Sequence, residues 1–482
     1  MAGLELLRLN PWVVPSSRYR ALFDGDARRL AAYQESLNWY EGRHWQTPRR
    51  GRSSLAVNYC RTIVDKGVSF LLGRGIGFAV EAAGRGPAVS LLGQRGPADE
   101  YAAVRRSRGA DGRAEAAEAV LYDVYDANDL DLVDLGAATN AAVLGDAVYK
   151  VWWDAGAARI RCVSVDPLGF FAQWRGDDVA ELQRVDVAYC LSAADARELY
   201  AGGGAARTDG LVEIVETWTR AAMRVEVGGR AVAEGPNPYG LIPFVHVPNL
   251  RGPNQFWGRS DLQDVIGLNR EFNERMSDQA DVIRYHADPP VVFRGVEDHD
   301  ALRVGPGSVW DLPADADVHL LEWLGQPVAV QEHIEQVRRS MYETAETPRT
   351  AFGDSGRMLS GVALETELRP LIQKTLRKRV VWTVALRRRV RLIWALAEQY
   401  GLLPAGATAG LRARIIWPSM MPSDDAQEVQ NQVTLVAAGL RTRLTAMDML
   451  GTESPERELA GVRAEMGMVG PVQGVSGMAT HG

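Results

Sequence analysis

The run Gly73-Arg74-Gly75-Ile76-Gly77 has glycines spaced as in a phosphate-cradling loop. That chemistry sets the glycines between a strand and a following helix, so that the helix N-terminus faces the anion. Here a helical pattern comes first and Phe78 stands where a third spaced glycine belongs, so the segment reads as a helix-ending turn. No G-x-x-x-x-G-K-S/T run occurs, which excludes an NTPase loop of that kind. His44, His246, His286, His299, His319, His333 and His481 never form H-x-x-x-H, so there is no zincin helix. Asp298-His299-Asp300 has ligand-type side chains, but between two strand patterns it reads as a solvated turn. No G-x-S-x-G elbow is present, and no carboxylate pair is singled out by spacing. No catalytic residue, metal site or cofactor is expected.

Charge is more informative. The chain has 54 Lys+Arg against 61 Asp+Glu, a formal −7, which excludes a basic nucleic-acid coat. Yet Arg369, Lys374, Arg377, Lys378, Arg379, Arg387, Arg388, Arg389 and Arg391 follow one another with no acid between them. Such a run is either a solvated helix face or an electrostatic contact with phosphate or an acidic neighbouring subunit. Two preceding segments are acid-rich. Arg259–Asp288 holds Asp261, Asp264, Glu271, Glu274, Asp278, Asp281 and Asp288; Asp311–Glu346 holds Asp311, Asp315, Asp317, Glu322, Glu332, Glu335, Glu343 and Glu346. One chain gains little from this division, whereas a ring of chains can use it. Arg387, Arg388 and Arg389 are therefore candidates for a contact between subunits.

The elements that carry these residues indicate an α+β chain of about three domains for 482 residues. Three cysteines, Cys60, Cys162 and Cys190, make no disulfide framework and point to a reducing site of synthesis. Met1–Asn10 does not read as a signal peptide, and no run of 18 uncharged apolar residues occurs, so a soluble protein is expected. Apolar spacing predicts helices at Tyr19–Tyr40, Ser53–Leu72 and Ala114–Leu144, with a Gly/Ala/Arg-rich loop at 82–113. Ala147–Trp153, Arg159–Val165, Val185–Leu191, Leu211–Arg220 and Met223–Val227 predict one antiparallel sheet. Then come a long helix over Arg259–Ala287, strands at Val291–Val296 and Ser308–Leu312, and a helix at Val328–Thr347 stopped by Pro348. A Gly-bearing loop leads into a helix over Val362–Tyr400, interrupted or kinked near Pro370. Asp424–Gly439 and Pro455–Gly467 predict terminal helices after Ser423 and Ser454.

Four stretches, in order along nearly the whole chain, resemble the portal proteins of tailed double-stranded-DNA bacteriophages of the siphovirus type. They are 37–44 (LNWYEGRH) with 58–65 (NYCRTIVD) and 71–73; 241–249 (LIPFVHVPN) with 258–262 (GRSDL); 360–364 (SGVAL); and 438–440 with 445–448 (TAMD) and 456–465. The resemblance implies a ring, usually of twelve subunits, at one capsid vertex, with DNA passing through its axis without sequence preference. It divides the chain into a wing (1–257, helical at its start, with the sheet at 147–250), a stem helix (258–287), a clip (288–327), a second stem helix (328–347), a tunnel loop (348–361), the wing's long helix and following strand (362–423), and a short helical crown (424–482). The clip would dock the terminase large subunit, which supplies ATP hydrolysis, with Glu297, Asp298 and Asp300 as contact candidates. Arg349, Thr350, Ser355 and Arg357 of the tunnel loop would touch DNA. Asp264, Glu271, Glu274, Asp278, Asp281, Glu332 and Glu335 of the stem would give the channel an acidic lining along which DNA can slide. Other implied partners are the major capsid and scaffolding proteins and a head–tail adaptor, with no membrane. The implied location is the virion, after synthesis in the bacterial cytoplasm. The Gly/Arg-rich 82–113 departs from the family pattern, and the segment after 424 is too short for a large crown. Two other readings are a nucleic-acid-processing enzyme using the basic helix 369–391 and a capsid or adaptor component without a DNA channel.

Overall fold

A computed structural model describes residues 16–45, 52–73, 75–82, 112–200, 210–287, 291–294, 317–320, 327–353, 361–420, 425–450, 452 and 455–468. Helices α1 (Ser17–Gly25) and α2 (Ala27–Tyr40) replace the single helix expected over Tyr19–Tyr40, with the break at Asp26. Helix α3 (Tyr59–Leu72) begins later than expected because the Asn58 side chain accepts the Arg61 N–H and caps it there. It ends at Gly73, φ 57°, in the turn that the glycine run predicts, and strand β1 (Gly77–Ala82) follows.

Helices α4 (Gly112–Ala127) and α5 (Leu130–Leu144) divide the expected Ala114–Leu144 helix. The reason is tertiary. The Asn128 amide donates to the Ile160 carbonyl (3.0 Å) and accepts the Cys162 N–H (3.1 Å), pairing with a strand edge as a backbone would. Asp129 then takes a left-handed φ of 49°.

The expected single sheet is two. Strands β2 (Asp146–Asp154), β3 (Arg159–Val165) and β9 (Phe244–Pro248) form one, in the order β3-β2-β9. Strands β4 (Phe170–Arg175), β5 (Asp178–Ser192), β6 (Leu211–Thr219), β7 (Ala222–Val227) and β8 (Arg230–Pro236) form the other in sequence order, all antiparallel, with α6 (Ala193–Leu199) between β5 and β6. Short strands β10 (Leu250–Arg251) and β11 (Gly258–Arg259) pair with each other. Helix α7 (Ile266–Ala287), hairpin strands β12 (Val291–Arg294) and β13 (Asp317–Leu320), and helix α8 (Pro327–Thr344) come next. The strand expected at 308–312 lies outside the described residues.

A short 3-10 turn, Arg349–Phe352, precedes α9 (Gly361–Gln399), which contains Pro370. Strand β14 (Leu411–Ile416) pairs with β1 from the far end of the chain. Helices α10 (Asp425–Ala437), α11 (Arg443–Met449) and α12 (Pro455–Met468) close the order. The main core joins α2, α3, α5, β2 and α9. Ala137, Ala138, Ala141 and Ala142 of α5 are buried there beside Ile63 and Val64 of α3 and Trp382 and Leu386 of α9. Small side chains admit close helix packing, and burying the larger ones removes apolar surface from water.

Candidate functional site

The segment before α7 was expected to be helical from 258; the helix starts only at Ile266. Residues 258–262 are used instead to cap α5. The Asp261 N–H donates to Ala142 O (2.9 Å) and the Ser260 hydroxyl to Val143 O (2.6 Å), satisfying carbonyls that the end of α5 leaves open. The chain crosses here without side chains: a Cβ on Gly258 would lie 2.1 Å from the Gly145 carbonyl oxygen. Asp146, fully buried, accepts the Gly258 N–H (2.9 Å), His246 Nε2 (2.6 Å) and the Tyr33 hydroxyl. Asp261 is buried between Lys378, at hydrogen-bond distance, and Lys374, at 3.3 Å. Burial alone would raise the pKa of its carboxyl, but the two ammonium groups outweigh that and hold it at about 2. Lys374 also donates to the Ala345 carbonyl (3.0 Å) just beyond α8. One carboxylate thus ties the lead-in to α7, the end of α8 and the long helix α9 together.

Along α7 a polar stripe is buried at four-residue spacing. Asn269 accepts the Cys60 N–H (3.2 Å), Asn273 the Val57 N–H (3.0 Å), Ser277 the Leu55 N–H (2.9 Å) and Asp281 the Ser53 N–H (2.8 Å). From Asn273 to Asp281 four helical residues rise about 6.0 Å and two extended ones about 6.6 Å, so the helix and the extended segment 53–57 stay in step. The match explains why 53–57 is extended rather than helical. It also corrects the place of Asp281. That residue was expected to face a channel, and it is buried against the chain's own backbone.

The other stem candidates are more exposed but mostly paired. Glu271 meets Arg275 (2.7 Å) and His333 of α8 (3.2 Å), and its carboxyl is held below the ordinary range chiefly by the Arg275 hydrogen bond. Asp278 also meets Arg275 (2.9 Å), Asp264 meets Arg259 (3.2 Å), and Glu335 meets Arg338 and Arg349 (3.5 Å). Glu274 and Glu332 form no ion pair among the described residues.

The turn Arg349–Phe352 sits beside a cavity of about 580 Å³ lined by Arg339, Tyr342, Glu343, Glu346, Glu367 and Pro370, with Thr350 at its wall. Glu346, φ 52°, turns the chain and receives Arg377 of α9 (2.6 Å). Ser355 and Arg357, and Glu297, Asp298 and Asp300, lie outside the described residues.

Part of the basic helix is internal to the chain, a position that neither reading of its charges foresaw. Arg389, a candidate subunit contact, has no exposed surface. It grips Asp134 (2.9 Å to Oδ2, with a second, shorter bond) and Tyr125, and lies 5.0 and 4.5 Å from the ring centres of Tyr125 and Tyr149. Burial pushes the Arg389 guanidinium down and the Asp134 carboxyl up; facing each other, they satisfy each other's charge. Arg379 donates to Phe70 O (3.1 Å), Leu71 O (3.1 Å) and Pro418 O (2.9 Å), closing the end of α3. Arg389, Lys374, Lys378 and Arg379 are internal anchors, while Arg387 and Arg388 are half-buried and Arg391 is exposed. The sequence reading missed Asp134, Asp146 and the Asn269–Asn273–Ser277 stripe; only the stripe carried a signal, its four-residue spacing.

Among the described residues no His/Cys/Asp/Glu group could hold a metal ion, and no helix is long and apolar enough to cross a membrane. A family model described as phage portal protein, SPP1 Gp6-like, matches residues 20–470. A search of curated proteins finds no match.

Proposed function

Since the chain belongs to the phage portal protein family, we propose that twelve copies close into its ring, with α7 and α8 as stem, the β12–β13 hairpin as clip and the Arg349–Phe352 turn at the narrowest part of the channel. The family is structural rather than enzymatic, and its ring at a capsid vertex is the channel for DNA and the docking site of the packaging motor. The observation that carries the division into parts is the unit α7–hairpin–α8. Helix α7, about 33 Å long, is fixed at its start by Asp146 and Asp261 and held along most of its length by the Asn269–Asp281 stripe. A hairpin held on two helices packed together, with a buried ionic root, suits a part that must bear load from a motor without unfolding the wing. DNA carries one phosphate charge per ~1.7 Å of axis, so an attractive lumen would hold it. Glu274 and Glu332, which form no ion pair among the described residues, suit the lumen best, and Arg349 is the described basic residue of the turn.

The clip is the surface for the terminase large subunit, and Glu297, Asp298 and Asp300 are its contact candidates. The remaining partners are the major capsid, scaffolding and head–tail adaptor proteins, and synthesis takes place in the host bacterial cytoplasm. The experiment is negative-stain imaging of the purified chain followed by packaging with its terminase. Holed rings are expected, and Arg349→Ala rings should form normally but package or retain less DNA. A monomer in the images sinks the ring; normal packaging and retention by Arg349→Ala rings removes the turn from the channel.

A further inference from the structure

Beside α9 on the side away from Arg389 is a pocket of about 290 Å³. Arg220, Arg251, Arg388 and Arg391 stand around it, over a floor that includes Phe256 and Leu392. Its one carboxylate, Glu181, is already shared by Arg175 (3.4 Å) and Arg220 (3.8 Å). Arg251, Arg388 and Arg391 form no ion pair among the described residues. Burial and the neighbouring Arg391 and Arg251 lower the Arg388 pKa, and the exposed Asp178 at the start of β5 offsets this only in part, so an anion seated there would relieve the remaining repulsion. The opposite deficit lies on α4 and α5. Asp123, Asp126, Asp129 and Asp131 are exposed and unpaired among the described residues, and Asp129 starts α5 without capping it. Beside them Leu132 is 70% exposed and Leu135 47%.

We propose that the arginine pocket of one copy receives a carboxylate from the Asp123–Asp131 edge of the next copy, with Leu132 and Leu135 covering its apolar rim. Asp134 of α5 turns inward onto Arg389, while Asp131 and Leu132 are exposed; Arg388, one residue before Arg389, faces β5 and β9 instead. The two patches therefore belong to different sides of α9. Different patches on one chain that complement each other make a heterologous contact, the kind that closes rings. A lone phosphate would use the arginines but not the leucines, which favours a protein occupant over DNA.

The inference rests on the ring reading above, and a charge swap tests it separately. Arg251→Glu with Arg391→Glu changes two exposed side chains that form no ion pair among the described residues, as does Asp126→Lys with Asp131→Lys. Native mass spectrometry over a concentration series should show each double variant needing at least about tenfold more protein to form rings. A fourfold variant carrying both swaps should return to within about threefold of the original, because the attraction is restored with its sign reversed. Unchanged assembly of either double variant, or no recovery in the fourfold one, overturns the contact. So does normal assembly of the arginine variant with loss of DNA retention, which would make the pocket a phosphate site. An unaltered chain that never forms a ring would refute the ring reading itself, and that is seen before any variant is made.

Discussion

Replacing Arg389 with Met should damage the chain far more than loss of a surface arginine, and the structure sets the size. Arg389 is completely buried, with both guanidinium edges on Asp134 and its plane against Tyr125 and Tyr149. Arg389→Met leaves the Asp134 carboxylate buried with only the Tyr149 hydroxyl (2.7 Å) to satisfy it. Removing one partner of a buried pair typically costs about 3–5 kcal/mol. Asp134→Leu alone should be as harmful, because it strands the guanidinium. The double variant Arg389→Met with Asp134→Leu removes both charges and should recover most of the loss, giving a coupling of about 2 kcal/mol or more. Thermal unfolding would read this as a drop of about 6–20 °C for each single variant, taking about 2–4 °C per kcal/mol for a unit of 150–250 residues. If Arg389→Met instead leaves the melting temperature within a degree or two and weakens ring assembly in a salt-sensitive way, the residue works between subunits and the internal-anchor argument is wrong.

Three further outcomes follow from the same anchors. Asp261 titrates at about 2 in the folded chain against about 3.9 unfolded, so its contribution is full above pH ~4 and is lost as pH falls through ~2. Acid unfolding of Asp261→Asn should therefore lack a loss of about 3 kcal/mol that the unaltered chain shows in that window; parallel curves would dismiss the two-lysine cage. Asn273→Ala strands the Val57 N–H and should cost about 1–3 kcal/mol, with faster amide exchange at Val57, whereas Asn273→Asp keeps the acceptor and most of the protection. Gly258→Ala drives a methyl into the Gly145 carbonyl and should cost about 3 kcal/mol; a neutral result in urea unfolding would mean that the crossing can open.

Much of this was legible from local pattern, and what was not has a common cause. The α+β class, α7, α8 and α9, and the turn at Gly73 follow from apolar spacing and from where proline and glycine stand. The breaks at Asp26 and Asn128–Asp129 do not, since Asn128 leaves its helix to pair with β3, which the periodicity of its own helix cannot register. Strand β1 likewise needs β14 from the far end of the chain. The burial of Lys374, Lys378, Arg379 and Arg389 within the basic run was hidden for the same reason. Asp134 and Asp261 carry no mark as partners of Arg389 and Lys378, and a helix rich in arginine is by itself evidence of a solvated face.

Once folded, α9 gives three successive arginines three surroundings, because each residue turns about 100° from the last. Arg389 points to α4 and α5 and is paired inside; Arg388 points to β5 and β9, near Arg251 and Arg391 with Asp178 of β5 as its nearby acid; Arg387, half-buried, lies near Arg412 and Arg414 of β14 with Glu81 of β1 beside them. The internal pair holds the long helix to the wing whatever the state of the ring, since its strength does not depend on a neighbour. The arginine pocket has, on the contact proposed above, the reverse property: it gains only when a second copy arrives. A chain that must fold before it assembles needs both kinds of charge. Their adjacency on one helix means that whatever fixes Arg389 also fixes the direction in which Arg388 is presented. That coupling makes a sharp distinction between the two sites testable. Loss of Arg389 should disturb folding and assembly together, while swapping the exposed arginines of the pocket should leave melting unchanged and move assembly alone.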